Sequence, residues 1–206
     1  FSPFSKHVSV IALFFVVFET IACINIKETS TVDMETASVK DMFKSLFAND
    51  QALAIVVTIV IVNLSIYITS NLLIYFFKYD FGGVNWYKSY TVFNTFGGAM
   101  QILAMMLLFP LLRKFMSTMK IFMLSLMMAI VGYIVLLALT FTSMNNVALL
   151  FIPGFLIFAA NGMLMVLTTI FLANTVDYGE YKNGRRDESV IFSMQTIVVK
   201  LESGVA

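Results

Sequence analysis

Five long apolar segments and the start of a sixth fill this sequence, each separated from the next by a polar stretch. An apolar helix needs about 20 residues to cross about 30 Å of hydrocarbon. On that ruler the spans run from His7 to Cys23, Ala52 to Phe77, Tyr90 to Leu112, Ile121 to Phe141 and Val147 to Thr175, and a sixth opens near Ser189. The expected fold class is an all-α membrane protein. Leu, Met, Ile and Phe lie nearly all round the fourth span, the pattern of a lipid-facing support helix. Gly97-Gly98, inside the third, predicts close helix contact, and Gly82-Gly83 predicts a turn.

The long polar connection, 24–51, follows the first span. Within it Val39, Met42, Phe43, Leu46 and Phe47 recur at helical spacing and make one apolar stripe. Lys40, Asp41 and Lys44 lie off that stripe. The pattern predicts a short helix lying on the inner membrane surface. The connection is also the expected domain boundary: 1–23 as the last helix of one bundle, 24–51 as a cytoplasmic middle loop, and 52–206 as an incomplete second bundle.

Composition agrees with a bilayer as solvent. Hydrophobic residues make up 60% of the chain and charged residues 12%, and mean hydropathy is +0.91. A net charge of +1 marks no nucleic-acid partner. One cysteine, Cys23, excludes an internal disulfide, and one histidine, His7, excludes a His-rich metal site. No nucleotide loop, metal-ligand spacing or nucleophile elbow occurs, so neither an enzyme nor a bound cofactor is expected. Ile21-Ala22-Cys23 faintly resembles a lipoprotein cleavage site, but Glu19 is wrong for a signal core and further spans follow. A chain that opens on Phe1 and closes on Ala206 inside an apolar run reads as an interior fragment.

Lysine and arginine set the orientation. Lys27, Lys40, Lys44, Arg113, Lys114, Lys120, Lys182, Arg185 and Arg186 fall on one side, and Lys6, Lys78 and Lys88 on the other. The first set is cytoplasmic and the amino end is outside. Trp86, Tyr87 and Tyr90 then sit at the outer interface.

The sixth segment carries the chemistry. As a helix it aligns Ser189, Ser193, Thr196, Lys200 and Ser203 in one polar stripe. Lys200 lies about 16 Å past Ser189, close to the midplane. A charge there is costly unless it is paired or wetted, and it marks a transport pathway by default. Thr196 puts a hydroxyl on the same wall, and Gln195 reaches the cavity edge. Glu202, two residues on, points away from Lys200. In the second span Asn63, Tyr67 and Ser70 share a face whose amide and hydroxyls suit a polyhydroxylated ligand. Asn161 in the fifth reads as hydrogen-bonding helix glue. The loop from Asp177 packs Glu180, Lys182, Arg185, Arg186, Asp187 and Glu188 together. It is either a solvated, topology-setting loop or an inner gate, which would need a network of ion pairs.

These residues resemble a family. Asp177-Tyr178-Gly179-Glu180-Tyr181-Lys182, Arg186, Glu188-Ser189 and Ser193-Met194-Gln195-Thr196-Ile197-Val198-Val199-Lys200 are similar to the melibiose-permease-like glycoside–pentoside–hexuronide:cation symporters of the major facilitator superfamily. Asn49-Asp50-Gln51, Asn63 and Phe109-Pro110 look similar too. The resemblance implies two bundles of six helices. This chain would supply helix 6, the middle loop, helices 7–10 and part of helix 11, beside a missing amino-terminal bundle. It implies that Lys200 lies beside the cation site and Thr196 near the sugar. It also implies a cytoplasmic gate made by Asp177, Tyr178, Glu180, Arg185, Arg186 and Glu188. Glu202 departs from the pattern where melibiose permease has a glycine, and Met165 where it has an aromatic residue.

The expected function is secondary active transport by alternating access: symport of a sugar or glycoside with a monovalent cation, Na+ or H+, across a bacterial plasma membrane. Lys200 serves the cation coupling, and Thr196, Gln195, Asn63 and Tyr67 line the substrate cavity. The alternative is an uncoupled facilitator of amphipathic or lipid-like solutes on the same fold. Which sugar, which ion, the stoichiometry and the oligomeric state are not legible.

Overall fold

The computed structural model describes residues 3–26, 39–81, 85–141, 146–184 and 188–205. All regular structure among them is helical: α1 (Pro3–Asn25), α2 (Val39–Ala48), α3 (Asp50–Tyr75), α4 (Trp86–Leu103), α5 (Phe109–Arg113), α6 (Thr118–Thr140), α7 (Phe151–Asn183) and α8 (Glu188–Val205). A π-helical turn, Phe76–Phe81, prolongs α3, and a second, Ala104–Leu108, joins α4 to α5. A 3-10 turn, Val147–Leu150, leads into α7, with Asn146 capping it by accepting the Ala148 N–H at 2.9 Å. Among the described residues, five stretches are long and apolar enough to cross a membrane: Val8–Asn25, Asp50–Phe81, Trp86–Arg113, Thr118–Thr140 and Val147–Lys182. They are the five expected spans. The sixth segment is helical too, as α8. Gly82-Gly83 lies outside the described residues.

The chain forms two compact units, Phe1–Thr36 and Ala37–Ala206. The first contains α1, whose Thr20 hydroxyl donates to the Val16 carbonyl at 2.7 Å and so stays satisfied within its own helix. The second contains α2 to α8. Its axis is α7: 56% of that span is buried, against 17–22% for α3, α4 and α6, which pack around it. α8 and α2 pack on α3 at its start.

Three apolar clusters hold this second unit together. Toward the start of α3, Leu46, Val56, Ile59, Leu172, Val176, Ile191 and Met194 join α2, α3, α7 and α8. Leu46 is how the amphipathic α2 docks, while Phe43 and Phe47 remain exposed. In the middle, Ala104, Phe109 and Ile121 close on Ala159, Met163 and Leu167 of α7. At the far end Leu73, Phe77 and Phe93 meet Leu150, and the Phe77 ring lies 5.3 Å from Phe93 and 6.0 Å from Tyr90. α6 turns Ile121, Ser125 and Gly132 inward and leaves Met123, Met127, Ile130, Ile134 and Leu137 exposed.

The Gly97-Gly98 pair divides its labour. A Cβ on Gly97 would lie 2.4 Å from the Phe158 ring, whereas one on Gly98 would meet nothing within 4 Å. Gly162 of α7 is tighter in kind, because its Cβ would lie 2.5 Å from the backbone carbonyl oxygen of Gln101. Backbone cannot rotate away as a side chain can.

One boundary departs from expectation. The fifth span was expected to end at Thr175 and give way to a loop, but α7 continues to Asn183. Nothing between Thr175 and Gly184 breaks a helix, and a polar sequence outside hydrocarbon can stay helical. Gly184, at φ 67°, takes the left-handed conformation that ends it, and its N–H reaches the Glu180 carbonyl at 2.9 Å.

Replacing Gly162 by alanine will force α4 and α7 apart and destabilise the fold by about 1–3 kcal/mol, the usual cost of overpacking. Gly98→Ala, by contrast, will leave the melting temperature of the detergent-solubilised protein unchanged or raised. Equal melting temperatures for the two variants would refute this account of the α4–α7 contact.

Candidate functional site

The expected functional residues fall on three elements. On α8, Val190, Ile191 and Met194 are buried, the last two in the cluster shared with α2, α3 and α7, and Ser189, Thr196 and Lys200 are exposed. Ser193 and Gln195 are half-buried. The polar stripe is therefore a real face of a continuous helix. Thr196 donates its hydroxyl to the Phe192 carbonyl at 3.0 Å, which leaves its oxygen free to accept. The side chains of Glu202 and Ser203 lie outside the described residues. On α3, Asn63 and Tyr67 are half-buried.

The expected gate residues Asp177, Tyr178 and Glu180 sit on the two extra turns of α7, and Glu188 opens α8. Asp177, Glu180 and Glu188 are exposed and Tyr178 is half-buried. Arg185 and Arg186 lie outside the described residues.

What fixes this end of α7 is a residue the site reading did not single out. Asn49, 2% exposed, caps α3: its Oδ1 accepts the Ala52 N–H at 3.0 Å. Its Nδ2 donates across the interface to the Thr175 carbonyl at 2.8 Å. One side chain thus satisfies an orphan donor of α3 and ties it to α7. Gly179 makes room, because a Cβ there would lie 2.6 Å from that same Nδ2. Beside this clasp Lys182 reaches Asp50 at 2.7 Å, and its Nζ lies 5.7 Å from the Tyr178 ring centroid. Both charged groups are well exposed, so the pair orients more than it stabilises. A readable cue existed: an Asn-Asp pair directly before an apolar run is a helix start. Its partner on α7 had no cue.

A cavity of about 430 Å³ opens beside the clasp, lined by Gln51, Ile55, Thr58, Met119, Phe122, Phe171, Asn174, Thr175 and Tyr178. Tyr178 alone among the expected site residues lines it. Thr58 and Thr175 spend their hydroxyl protons on their own helices, at the carbonyls of Ala54 and Leu172. Thr196, Gln195, Lys200, Asn63 and Tyr67 lie elsewhere. No group of three or more His, Cys, Asp or Glu able to hold a metal occurs among the described residues.

Comparison with known proteins gives one family and several relatives. The family described as MFS/sugar transport protein matches residues 6–206. A lactose permease of Lactobacillus helveticus is 24% identical over 202 residues, covering 96% of this chain and 30% of its own length. A lactose permease of Leuconostoc lactis is 26% identical, over 80% of this chain and 24% of its own length. A raffinose carrier protein of Pediococcus pentosaceus is 26% identical, over 84% and 26% respectively. The chain thus spans about a quarter to a third of the length of these curated relatives.

Asn49→Ala will cost about 1–3 kcal/mol, through a lost cap and a lost buried hydrogen bond between α3 and α7. Gly179→Ala will cost a similar amount by displacing the same amide. Because both act on one contact, the double variant will be little worse than either single one. Thermal unfolding of the four proteins measures this, and strictly additive losses would show that the two residues are independent.

Proposed function

This chain belongs to the MFS/sugar transport protein family, and from that premise we propose that it forms part of a secondary active transporter for a sugar or glycoside. The transporter works in a bacterial plasma membrane and couples uptake to Na+ or H+. The observation that carries the reading is the family match over residues 6–206 in a chain with five spans of bilayer length. Relatives named as lactose permeases and a raffinose carrier favour an oligosaccharide as substrate. No enzymatic step is involved, since the family consists of transporters.

Mechanistically, alternating access moves helical bundles around a substrate near the midplane. Lys200 is exposed on the polar face of α8, well inside that helix. An ammonium group there competes with or positions the coupling cation, and its cost in hydrocarbon is offset by pairing or by water. Thr196 and Gln195 add a hydroxyl acceptor and an amide to the same region. Asn63 and Tyr67 extend the polar lining onto α3. Asp177, Tyr178, Glu180, Arg185, Arg186 and Glu188 form the cytoplasmic gate of this scheme.

Reconstituted full-length protein will accumulate labelled lactose or raffinose against its gradient when an inward Na+ or H+ gradient is imposed. Lys200→Val will abolish that accumulation while inserting normally into the membrane. Uptake indifferent to both gradients would leave an uncoupled facilitator, and undiminished accumulation by the lysine variant would remove Lys200 from the coupling site.

A further inference from the structure

Two asparagines stand at the same depth on α3 and α7. The clasp sets the register of these antiparallel helices by joining Asn49 to Thr175. Leu73 packing against Leu150 sets it at the far end. Asn63 lies fourteen residues beyond Asn49, and Asn161 lies fourteen before Thr175. At 1.5 Å per residue each amide is about 21 Å from the clasp, so the two are level. That level is near the middle of both Asp50–Phe81 and Val147–Lys182.

Helical phase brings them to the same interface. Asn161 precedes Gly179 by eighteen residues, five full turns, and so shares the face on which Gly179 meets Asn49. Asn63 follows Ile59 by four and Val56 by seven, and these two are buried in the cluster shared with Leu172 and Val176 of α7. Asn161 also heads a line with Thr168 and Thr175 at seven-residue steps. Both threonines donate to carbonyls of α7, Leu164 at 2.9 Å and Leu172 at 2.7 Å. Asn161 is different: it is 8% exposed, and neither it nor Asn63 has a hydrogen-bond partner among the described residues.

A primary amide buried without a partner is destabilising, and helix glue would have to bond to something. We propose that Asn161, together with Asn63, binds hydroxyl groups of the transported sugar at the middle of the membrane, an assignment that rests on the sugar-transport reading above. Each amide offers two N–H donors and a carbonyl acceptor. Two of them at one level match hydroxyls of a sugar ring, while supplying no negative charge to neutralise a cation. Access is from the side of Met165, one turn along α7 and 41% exposed, whose sulfur accepts from Gln101 Nε2 at 3.1 Å.

The test uses full-length protein in proteoliposomes, with Asn161→Leu, Asn161→Ser and Asn63→Leu compared with wild type. KM for gradient-driven uptake of labelled lactose and raffinose is measured, along with the melting temperature without sugar. Asn161→Leu will raise KM about tenfold or more while the sugar-free melting temperature holds or rises, because an unsatisfied amide has been replaced by a side chain of similar size. Asn161→Ser, which keeps a hydroxyl, will give a smaller rise and decides the matter if the leucine variant does not insert. Asn63→Leu will raise KM in the same direction. An unchanged KM in the inserted Asn161 variants overturns the assignment, whether or not the melting temperature falls. Wild type that carries no glycoside overturns the sugar reading and this inference together. Wild-type transport with an unaltered Asn161→Leu KM overturns this inference alone.

Discussion

Hydrocarbon offers no hydrogen-bond partner, so every polar group carried into it must be satisfied inside the protein. Most of the chain obeys this in the cheapest way. Thr58, Ser65, Ser125 and Thr168 each donate to the carbonyl four residues back on their own helix, at 2.8–2.9 Å. They need nothing from a neighbour and so fix nothing about it. Among the described residues, polar contacts that cross between helices include Thr69 with Tyr133 at 2.6 Å, Gln101 with Met165, Asn49 with Thr175 and Lys182 with Asp50. These contacts distinguish one packing of apolar helices from the many that van der Waals contact alone would allow.

Among them the Asn49 contact does the most, because it sets register as well as proximity. Its amide is almost fully buried, satisfies a helix start with one atom and spans 126 residues of sequence with another. Slipping α7 by one residue would turn Gly179 away and bring a side chain against Nδ2. The clasp also explains why α7 keeps its helix past Thr175: its last turns lie on the start of α3, next to the Asp50–Lys182 pair. From this anchored end the remaining levels of the α3–α7 interface follow at fixed rise.

The spans were legible because their cause is one-dimensional. A stretch either is or is not long and apolar enough, and among the described residues the five expected stretches are long and apolar enough. The α8 stripe of Ser189, Ser193, Thr196 and Lys200 was legible for a similar reason, since helical period alone puts those residues on one face. The end of α7 was misread because polarity was taken for a loop, although only Gly184 carries a conformation that stops a helix. Asn161 shows a harder limit. Its residue type is plain in the sequence, and the reading as helix glue was reasonable. Whether an amide has a partner depends on what stands opposite, and that is set by a contact between distant residues rather than by any period. The pairing of Asn49 with Gly179 was hidden for the same reason. Arg185 and Arg186 of the expected gate lie outside the described residues.

The clasp also constrains how such a protein can move. α3 and α7 are joined at the start of α3 by a buried amide, just beyond it by the cluster of Val56, Ile59, Leu172 and Val176, and at the far end by the cluster that holds Leu73 and Leu150. Opening a path between these two helices would break the Asn49–Thr175 hydrogen bond, leave the buried Asn49 Nδ2 without its acceptor and expose the apolar area between them. Each loss is unfavourable, and they would have to occur together. Access changes in the proposed cycle therefore leave α3 and α7 moving as one body, with the sliding surfaces on their exposed sides. The α8 face bearing Thr196 and Lys200 is one such side, and the α7 face at Met165 is another. A rigid α3–α7 pair would carry its two mid-depth amides through the cycle at constant separation, which is what holding a ring by two hydroxyls requires.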